Sequence, residues 1–435
     1  MSEISVGCLP ESTVVRFAWD DDPWHETLRR VNDRAQARSR CALESWIPGL
    51  AGHLRSDITD VVPLTRRTDA PLYGRTQLSA DLARLDVVDT LRIYHDGQLI
   101  AVDPFLQRDH VLHRPGVVNF AKMLSFLADG YTFNVGTIDR WNPPLNSIAE
   151  HLERVLGGSA EVHAFLSGGE TAASPLHFDQ PELLVVPVEG DTRWDVRRSE
   201  HEFAMGPTFI DHGEPPVAFD RVVSVGQALV VPRGWLHKAT PVGHVSICLT
   251  FGLFRGFLAR AAGALADRAI EVDELRRPST LGWDGDRDLV GEAVDAVSGS
   301  VSRLFDVDAL QRVVARSLAE LPTRNDGTVP WDLADAQEVP VDTRVRSRAP
   351  GGYLAVDVDR GYIGCAGGDR LIVASGDLRD ELGALLDSNG RSLEELAGES
   401  DRPSDLLTAG ARLVADGVLD ICPPSGFGSD AGRSE

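Results

Sequence analysis

Residues 174–196 read SPLHFDQPELLVVPVEGDTRWDV, and residues 226–238 read GQALVVPRGWLHK. His177 and Asp179 are two positions apart. On an extended chain, side chains at i and i+2 share a face, so an imidazole and a carboxylate converge. The apolar run 183–186 reads as a buried strand. Glu189-Gly190-Asp191 is a turn signal, and residues 192–196 read as the returning strand of a hairpin. Further on come Leu229-Val230-Val231, the turn Pro232-Arg233-Gly234, and His237. His237 lies 58 positions beyond Asp179 (237 − 179). That distance holds several more strands, so His237 returns beside the first pair only in a closed or sandwiched β-fold.

Two histidines and one carboxylate on one face leave about half of an octahedral metal's positions open. That arrangement suits non-haem Fe(II), with oxygen and an organic co-substrate in the free positions. His-x-Asp alone arises readily by chance in a chain of 435 residues. Its combination with G-x-x-L-x-x-P-x-G-x-x-H over 226–237 is far more specific. The alternative is a solvent-facing His-x-Asp and an unrelated core histidine.

Phe178, the turn Glu189-Gly190, Trp194 and the phrase Pro-Arg-Gly-Trp-Leu-His at 232–237 fit a known pattern. The stretch resembles the double-stranded β-helix, a cupin or jelly-roll barrel, of the JmjC-domain oxygenases. It is most similar to their bacterial cupin-like branch, which includes the ribosomal oxygenases. The resemblance extends through 73–105 and 130–156 and covers roughly 40–255. It implies that His177, Asp179 and His237 hold Fe(II) and that 2-oxoglutarate is the co-substrate.

The sequence departs from that family at one place. The resemblance puts a lysine or arginine that grips the far carboxylate of 2-oxoglutarate at position 192, and this chain has Thr192. Its neighbour Arg193 points to the other face. Ser174 matches a position whose hydroxyl contacts the same carboxylate. Ser174 and Thr192 can share it, with a cation from elsewhere. Arg255 and Lys122 are candidates, and Lys238 is expected to face outwards. Pro187 is a second oddity, since proline removes a ladder donor from a strand.

The length suggests two or three domains. Hydrophobic content of 43% and charged content of 25% are those of a globular protein. The five cysteines (Cys8, Cys41, Cys248, Cys365, Cys422) are scattered without a CxxC. That argues against a disulfide framework or zinc knuckle and for a reducing cytoplasm. The acidic first residues have no apolar core of a signal peptide, and no run of 18 apolar residues occurs. The net charge of −23 repels nucleic-acid phosphates. With only Lys122 and Lys238 among the lysines, that charge also fits the arginine-rich, acidic proteins of a GC-rich genome.

In chain order, residues 23–40 are helical in pattern. Residues 79–85 read as a short helix with Ser79 as N-cap. Residues 91–94 and 98–100 flank an Asp-Gly turn and read as a hairpin. His110 and His113 precede Pro115-Gly116 and are read as surface residues. Residues 119–129 are helical, 131–135 strand-like, and 148–156 a helix stopped by Gly157-Gly158. Residues 162–166 form a strand with His163 on either face. Residues 197–216 read as a long loop over the barrel mouth. Residues 222–231 and 245–251 supply further strands. Beyond 257 the spacing is helical. The resemblance implies a dimer interface there, hence a homodimer. Residues 322–350 are linker-like. Near the end come helices at 378–386, 392–397 and 403–416 and a strand at 418–421, a winged-helix pattern. Between Asp377 and Asp420 stand 11 acidic residues against 4 arginines. A DNA-reading module needs a basic face, so this one is expected to contact protein.

The domain expectation is an extension over 1–40, an oxygenase domain over 41–255, and a helical segment with linker over 256–345. A winged-helix-like domain over 346–424 and a disordered tail over 425–435 follow. The functional expectation is an Fe(II)- and 2-oxoglutarate-dependent hydroxylase acting on a side chain of a protein or peptide, whether a ribosomal protein or a modified-peptide precursor. The alternatives are a small-molecule tailoring hydroxylase and a non-catalytic cupin scaffold or regulator working through its winged helix. Nucleic acid and membrane are not expected as partners.

Overall fold

The computed structural model describes residues 37–255 apart from 38, 56–61, 67–71, 85–86, 108–115, 173 and 199–214. It also describes 339–422 apart from 348–352, 358–361, 368–369, 376–377, 389 and 416–418, together with 5–6, 295 and 298–299. Residues 23–36 of the helix expected over 23–40, His110 and His113, most of the 197–216 loop and nearly all of 256–338 lie outside these residues. The described chain separates into two compact units, one of them made of the described residues of 37–255.

In that unit alternating apolar residues make one large antiparallel sheet. Its strands are β1 (Val62–Thr65), β2 (Leu91–His95), β3 (Gln98–Ile100), β4 (Thr132–Val135), β5 (Ser159–Gly168), β6 (Glu182–Arg197), β7 (Val217–Val223), β8 (Gln227–Val231) and β9 (Leu236–Phe254). They run in the order β1-β8-β6-β9-β5-β4-β2-β3, with β7 added on β6. β2 and β3 form the expected hairpin, with Asp96 and Gly97 both at positive φ as an Asp-Gly turn requires.

Two strands are long enough to change layer. β6 and β9 pair along almost their whole length, with register shifts between Val242 and Cys248. The expected hairpin at 189–191 is therefore absent: β6 is one bent strand that never pairs with itself. The bend falls at Gly190, whose φ is +66°. A Cβ there would sit 2.4 Å from the carbonyl oxygen of Val245, so only glycine lets the two strands approach at the corner. Beyond it the strand folds back over its own first half. Leu183 and Val185 from one half pack in a single cluster with Trp194 and Val196 from the other, joined by Phe219, Val223, Leu229 and Val231. The opposite faces, through Leu184, Val186, Ala228, Val230, Leu249 and Phe251, join the main core under the helices.

Those helices cover one side of the sheet. Phe120–Ala128 is capped by Asn119, whose side chain accepts from the Lys122 N–H. Pro143–Leu156 begins earlier than expected, because Asn142 caps it and Pro143 suits its first turn. It ends at Gly157 with φ +64°. Arg75–Leu82 differs from expectation, with Gly74 at its N-cap and Ser79 in its interior. The order of residues 75–78 carries no side-chain cap that a sequence pattern could show.

The other unit's described part holds helices Arg379–Leu386, Leu393–Ala397 and Pro403–Ala415, close to expectation. Ser392 and Glu395 form a capping box. Leu382, Leu385, Leu393, Leu406 and Leu413 make its core. Arg344–Ser347, expected as linker, is the middle strand of a sheet with Arg391–Ser392 and Leu419–Ile421. Its burial partner residues are distant in sequence, so local composition hid it. Tyr353–Asp357, Tyr362–Gly367 and Arg370–Ser375 form three further strands, and Ser5–Val6, expected as part of an N-terminal extension, pairs with Ile372 and Val373 at their edge.

Gly190→Ala should destabilise the protein by about 2 kcal/mol or more, from left-handed backbone strain plus the contact with Val245. Denaturant unfolding measures it, and a loss of less than about 0.5 kcal/mol would show that the corner is not held by this glycine.

Candidate metal centre

The two sequence halves meet through the backbone. His177 N–H donates to the His237 carbonyl at 3.1 Å, and His237 N–H donates back to the His177 carbonyl at 2.6 Å. Gly234 N–H, in the Pro-Arg-Gly turn, donates to the Asp179 carbonyl at 3.2 Å. His177 is thus not in a regular strand but in an isolated antiparallel bridge to His237. Extended geometry still puts His177 and Asp179 on one side, while Phe178 between them is buried. His237 itself is held in β9 opposite Val196.

Each imidazole is oriented by a carbonyl two residues back. His177 Nδ1 lies 2.9 Å from Pro175 O, and His237 Nδ1 lies 3.1 Å from Trp235 O. A carbonyl only accepts, so each Nδ1 carries the proton and each Nε2 keeps its lone pair for a ligand. The Nε2 atoms face Asp179: His237 Nε2 is 3.4 Å from Oδ2 and His177 Nε2 is 3.9 Å from Oδ1. One potential ligand atom from each of the three residues lies within 4.8 Å of the others.

Electrostatics favour the metal-binding forms. Burial, with the nearby His237, pushes His177 below the ordinary 6.5, so it is neutral at neutral pH. Burial pushes the Asp179 carboxyl up, but the adjoining His237, with His177 and His163, outweighs it and holds the group at about 2. Metal ligands must be deprotonated, and the shifts of His177 and Asp179 favour that form. The donor set, two imidazole nitrogens and a carboxylate, fits a borderline divalent ion such as Fe(II).

The surroundings divide in two. Beside β6 and β8 the interlayer space is lined mainly by the apolar cluster. Beside β2, β4 and β5 it is polar. Along β5, Val162 and Ala164 are buried in the core while the alternate positions, His163 and Phe165 among them, turn the other way. This settles the face of His163, which is inward. Its Nδ1 lies 3.3 Å from Asn134 Oδ1, and its Nε2 lies 3.1 Å from Glu161 Oε1. Tyr94 bonds Asn134, and burial raises its phenol. Sequence reading missed Tyr94 and Asn134; the alternation of β2 and β4 carried the signal, but their order in the sheet was needed to read it.

Of the expected co-substrate residues, Thr192 is buried on the inward face of β6 beside Trp194. Ser174 is half-buried in the bend before His177. Arg255, expected as a cation, has Nε on Glu182 Oε2 at 2.8 Å. Lys122 is exposed, with Nζ on the Pro104 carbonyl. Pro187 keeps its place opposite Cys248, and its carbonyl accepts from Arg66 Nη2 at 3.4 Å.

Residues 140–259, which include all three of His177, Asp179 and His237, match the family model described as the JmjC domain. The resemblance to JmjC oxygenases is therefore borne out over this stretch. Ribosomal oxygenase 1 of Rattus norvegicus is 25% identical over 231 residues, 50% of this chain and 38% of that protein. The bifunctional lysine-specific demethylase and histidyl-hydroxylase NO66 of Drosophila willistoni is 23% identical over 43% of this chain and 25% of its own length. The chain thus spans well under half the length of these curated relatives. In fold it is similar to Escherichia coli ycfD, with TM-score 0.51 at 14% identity, covering 86% of this chain and 98% of that one. A structure of that ribosomal oxygenase with cobalt and succinic acid gives TM-score 0.50 at 15% identity, covering 83% and 95%.

Purified chain should bind one Mn(II), and the His177→Ala, Asp179→Ala double variant should show no saturable binding. Since His177 titrates below 6.5 and Asp179 near 2, proton competition at these two groups sets in only on the acid side. Mn(II) affinity should hold between about pH 8 and 7 and fall only at a pH below the ordinary imidazole value of about 6.5. Undiminished binding by the double variant, read by calorimetry, would contradict the site.

Proposed function

We propose that this chain is an Fe(II)- and 2-oxoglutarate-dependent oxygenase that hydroxylates a side chain of a protein or peptide. The observation that carries the reading is the convergence of His177 Nε2, Asp179 and His237 Nε2 at the mouth of a folded-over sheet. The relatives' names support it: ribosomal oxygenase and histidyl-hydroxylase are activities on proteins. The solved E. coli relative bound to cobalt and succinic acid shares its fold.

In this reading His177, Asp179 and His237 hold the iron. Iron with 2-oxoglutarate would supply the oxidising chemistry that places one oxygen atom of O2 in a C–H bond and leaves succinate and carbon dioxide. The chain supplies the rest. Pro175 and Trp235 carbonyls fix the two imidazoles, and Gly234 fixes the Asp179 backbone. The apolar cluster of Trp194, Phe219 and Trp235 excludes water from one side. The polar side, with Tyr94, Asn134 and His163, is left to orient ligands.

The domain reading is that an oxygenase domain occupies about 41–255 and an acidic winged helix about 346–424. Three helices around a small three-stranded sheet support the latter. Its acidity favours a protein contact, so the full chain should not bind random duplex DNA at moderate salt. Micromolar, salt-sensitive binding would contradict this.

The test of the activity is succinate release from 2-oxoglutarate with Fe(II), in the presence of ribosomal proteins or of precursor peptides encoded nearby. A mass gain of one oxygen in one of these substrates, lost in Asp179→Ala, is the expected result. Mn(II) binding without turnover on any protein or peptide would favour the non-catalytic cupin.

A further inference from the structure

Two inward side chains of β6 end in buried polar atoms with no hydrogen-bond partner among the described residues: Trp194 Nε1 and Thr192 Oγ1. Trp194 is 4% exposed and Thr192 5%. Being two apart, they share a face. Val196 stands opposite His237, Trp194 opposite Ala239, and Thr192 opposite Pro241. The Trp194 ring centre is 5.8 Å from that of His237. The two orphan donors therefore lie in a line that leads away from the His177–Asp179–His237 group. A buried donor without an acceptor costs about 1–3 kcal/mol, and such groups in a native fold call for an explanation. An elongated ligand carrying acceptors is one.

The far end of the line meets hydroxyls, not cations. Across the facing sheet Ser246 stands opposite Ser167, Ser167 opposite Thr132, and Thr132 opposite Tyr94. Thr132 Oγ1 donates to Ser167 Oγ at 3.0 Å, and Thr132, Ser167 and Ser246 are all buried. Gly190, two before Thr192, approaches so closely that a Cβ there would lie 3.3 Å from the Ser246 Cβ. That contact brings the hydroxyl row to the Thr192 end. Among the described residues the nearby cations are turned elsewhere: Arg75 pairs with Glu189, and Arg66 donates to the Pro187 carbonyl. Arg193 pairs with Asp220, Arg255 with Glu182, and exposed Arg92 donates to the carbonyls of Asp89 and Leu91.

We propose that this line receives the tail of the co-substrate, and that the far carboxylate of 2-oxoglutarate is held by the neutral donors Thr192 and Trp194 and the adjoining hydroxyls, without a lysine or arginine. The assignment rests on the oxygenase reading above. It makes the pocket a selector for hydrogen-bond acceptors whose grip on a dianion is improvable by one added charge.

The test uses the full chain loaded with Mn(II), titrated with 2-oxoglutarate by calorimetry. Thr192→Val keeps the shape and removes the hydroxyl; it should weaken binding about five- to tenfold with Mn(II) affinity unchanged. Thr192→Lys places a cation on the inward face and should tighten binding about tenfold. If Thr192→Val also perturbs folding, Thr192→Ser, which keeps the hydroxyl, should bind as the wild type does. Wild-type affinity in a well-folded Thr192→Val variant would overturn the proposal. So would weaker binding by Thr192→Lys, which would reveal a cation already in place. Mn(II) binding with no 2-oxoglutarate binding by the wild type would overturn the tail assignment and leave the metal group standing. Failure of the wild type to bind Mn(II) would take down the oxygenase reading and this proposal together.

Discussion

The reciprocal backbone bridge between His177 and His237 is the constraint on which the rest depends. It joins two segments 60 positions apart (237 − 177), and its two hydrogen bonds set both ligand histidines at once. Side-chain rotation then has little left to decide, because each Nδ1 is already bound to a carbonyl of its own segment. Asp179 is fixed from the same turn through Gly234. The site is thus built by main-chain bonds, which depend less on side-chain identity than packing does.

For the bridge to form, the sheet must fold back on itself. That requirement falls on β6 and β9, which each cross from one layer to the other. Gly190 permits the crossing, and the register shifts in β9 accommodate it. Once folded, the interlayer space has unequal halves. Valines, leucines and tryptophans close one half. Hydroxyls, an amide and an imidazole line the other, and the metal group stands where the two meet. Burial there removes charge from His177 while neighbouring imidazoles keep it on Asp179.

Much of this was legible in the residues. His-x-Asp, the Pro-Arg-Gly turn and the distant histidine are local patterns, and their chemistry needs no tertiary knowledge. The hairpin at 91–100 was legible because Asp96-Gly97 can occupy positive φ. The turn at 189–191 was misread for the same reason: Gly190 signals a positive φ, and only the pairing partner tells a strand bend from a hairpin. The strand 344–347 was hidden because its paired residues lie 46 (391 − 345) and more positions on. The inward face of His163 needed the order of strands, which alternation alone does not give. The sequence marks Thr192 as an anomaly, and the structure shows it as a buried hydroxyl without a hydrogen-bond partner among the described residues.

The central claim is that two imidazole nitrogens, from His177 and His237, bind one metal ion together with Asp179. Pulsed electron paramagnetic resonance of the Mn(II)-loaded chain reads directly bound nitrogens. The account predicts couplings from two imidazoles in the wild type and from one in His237→Ala. A wild-type signal with no nitrogen coupling, that of an ion held by carboxylates and water alone, would contradict it.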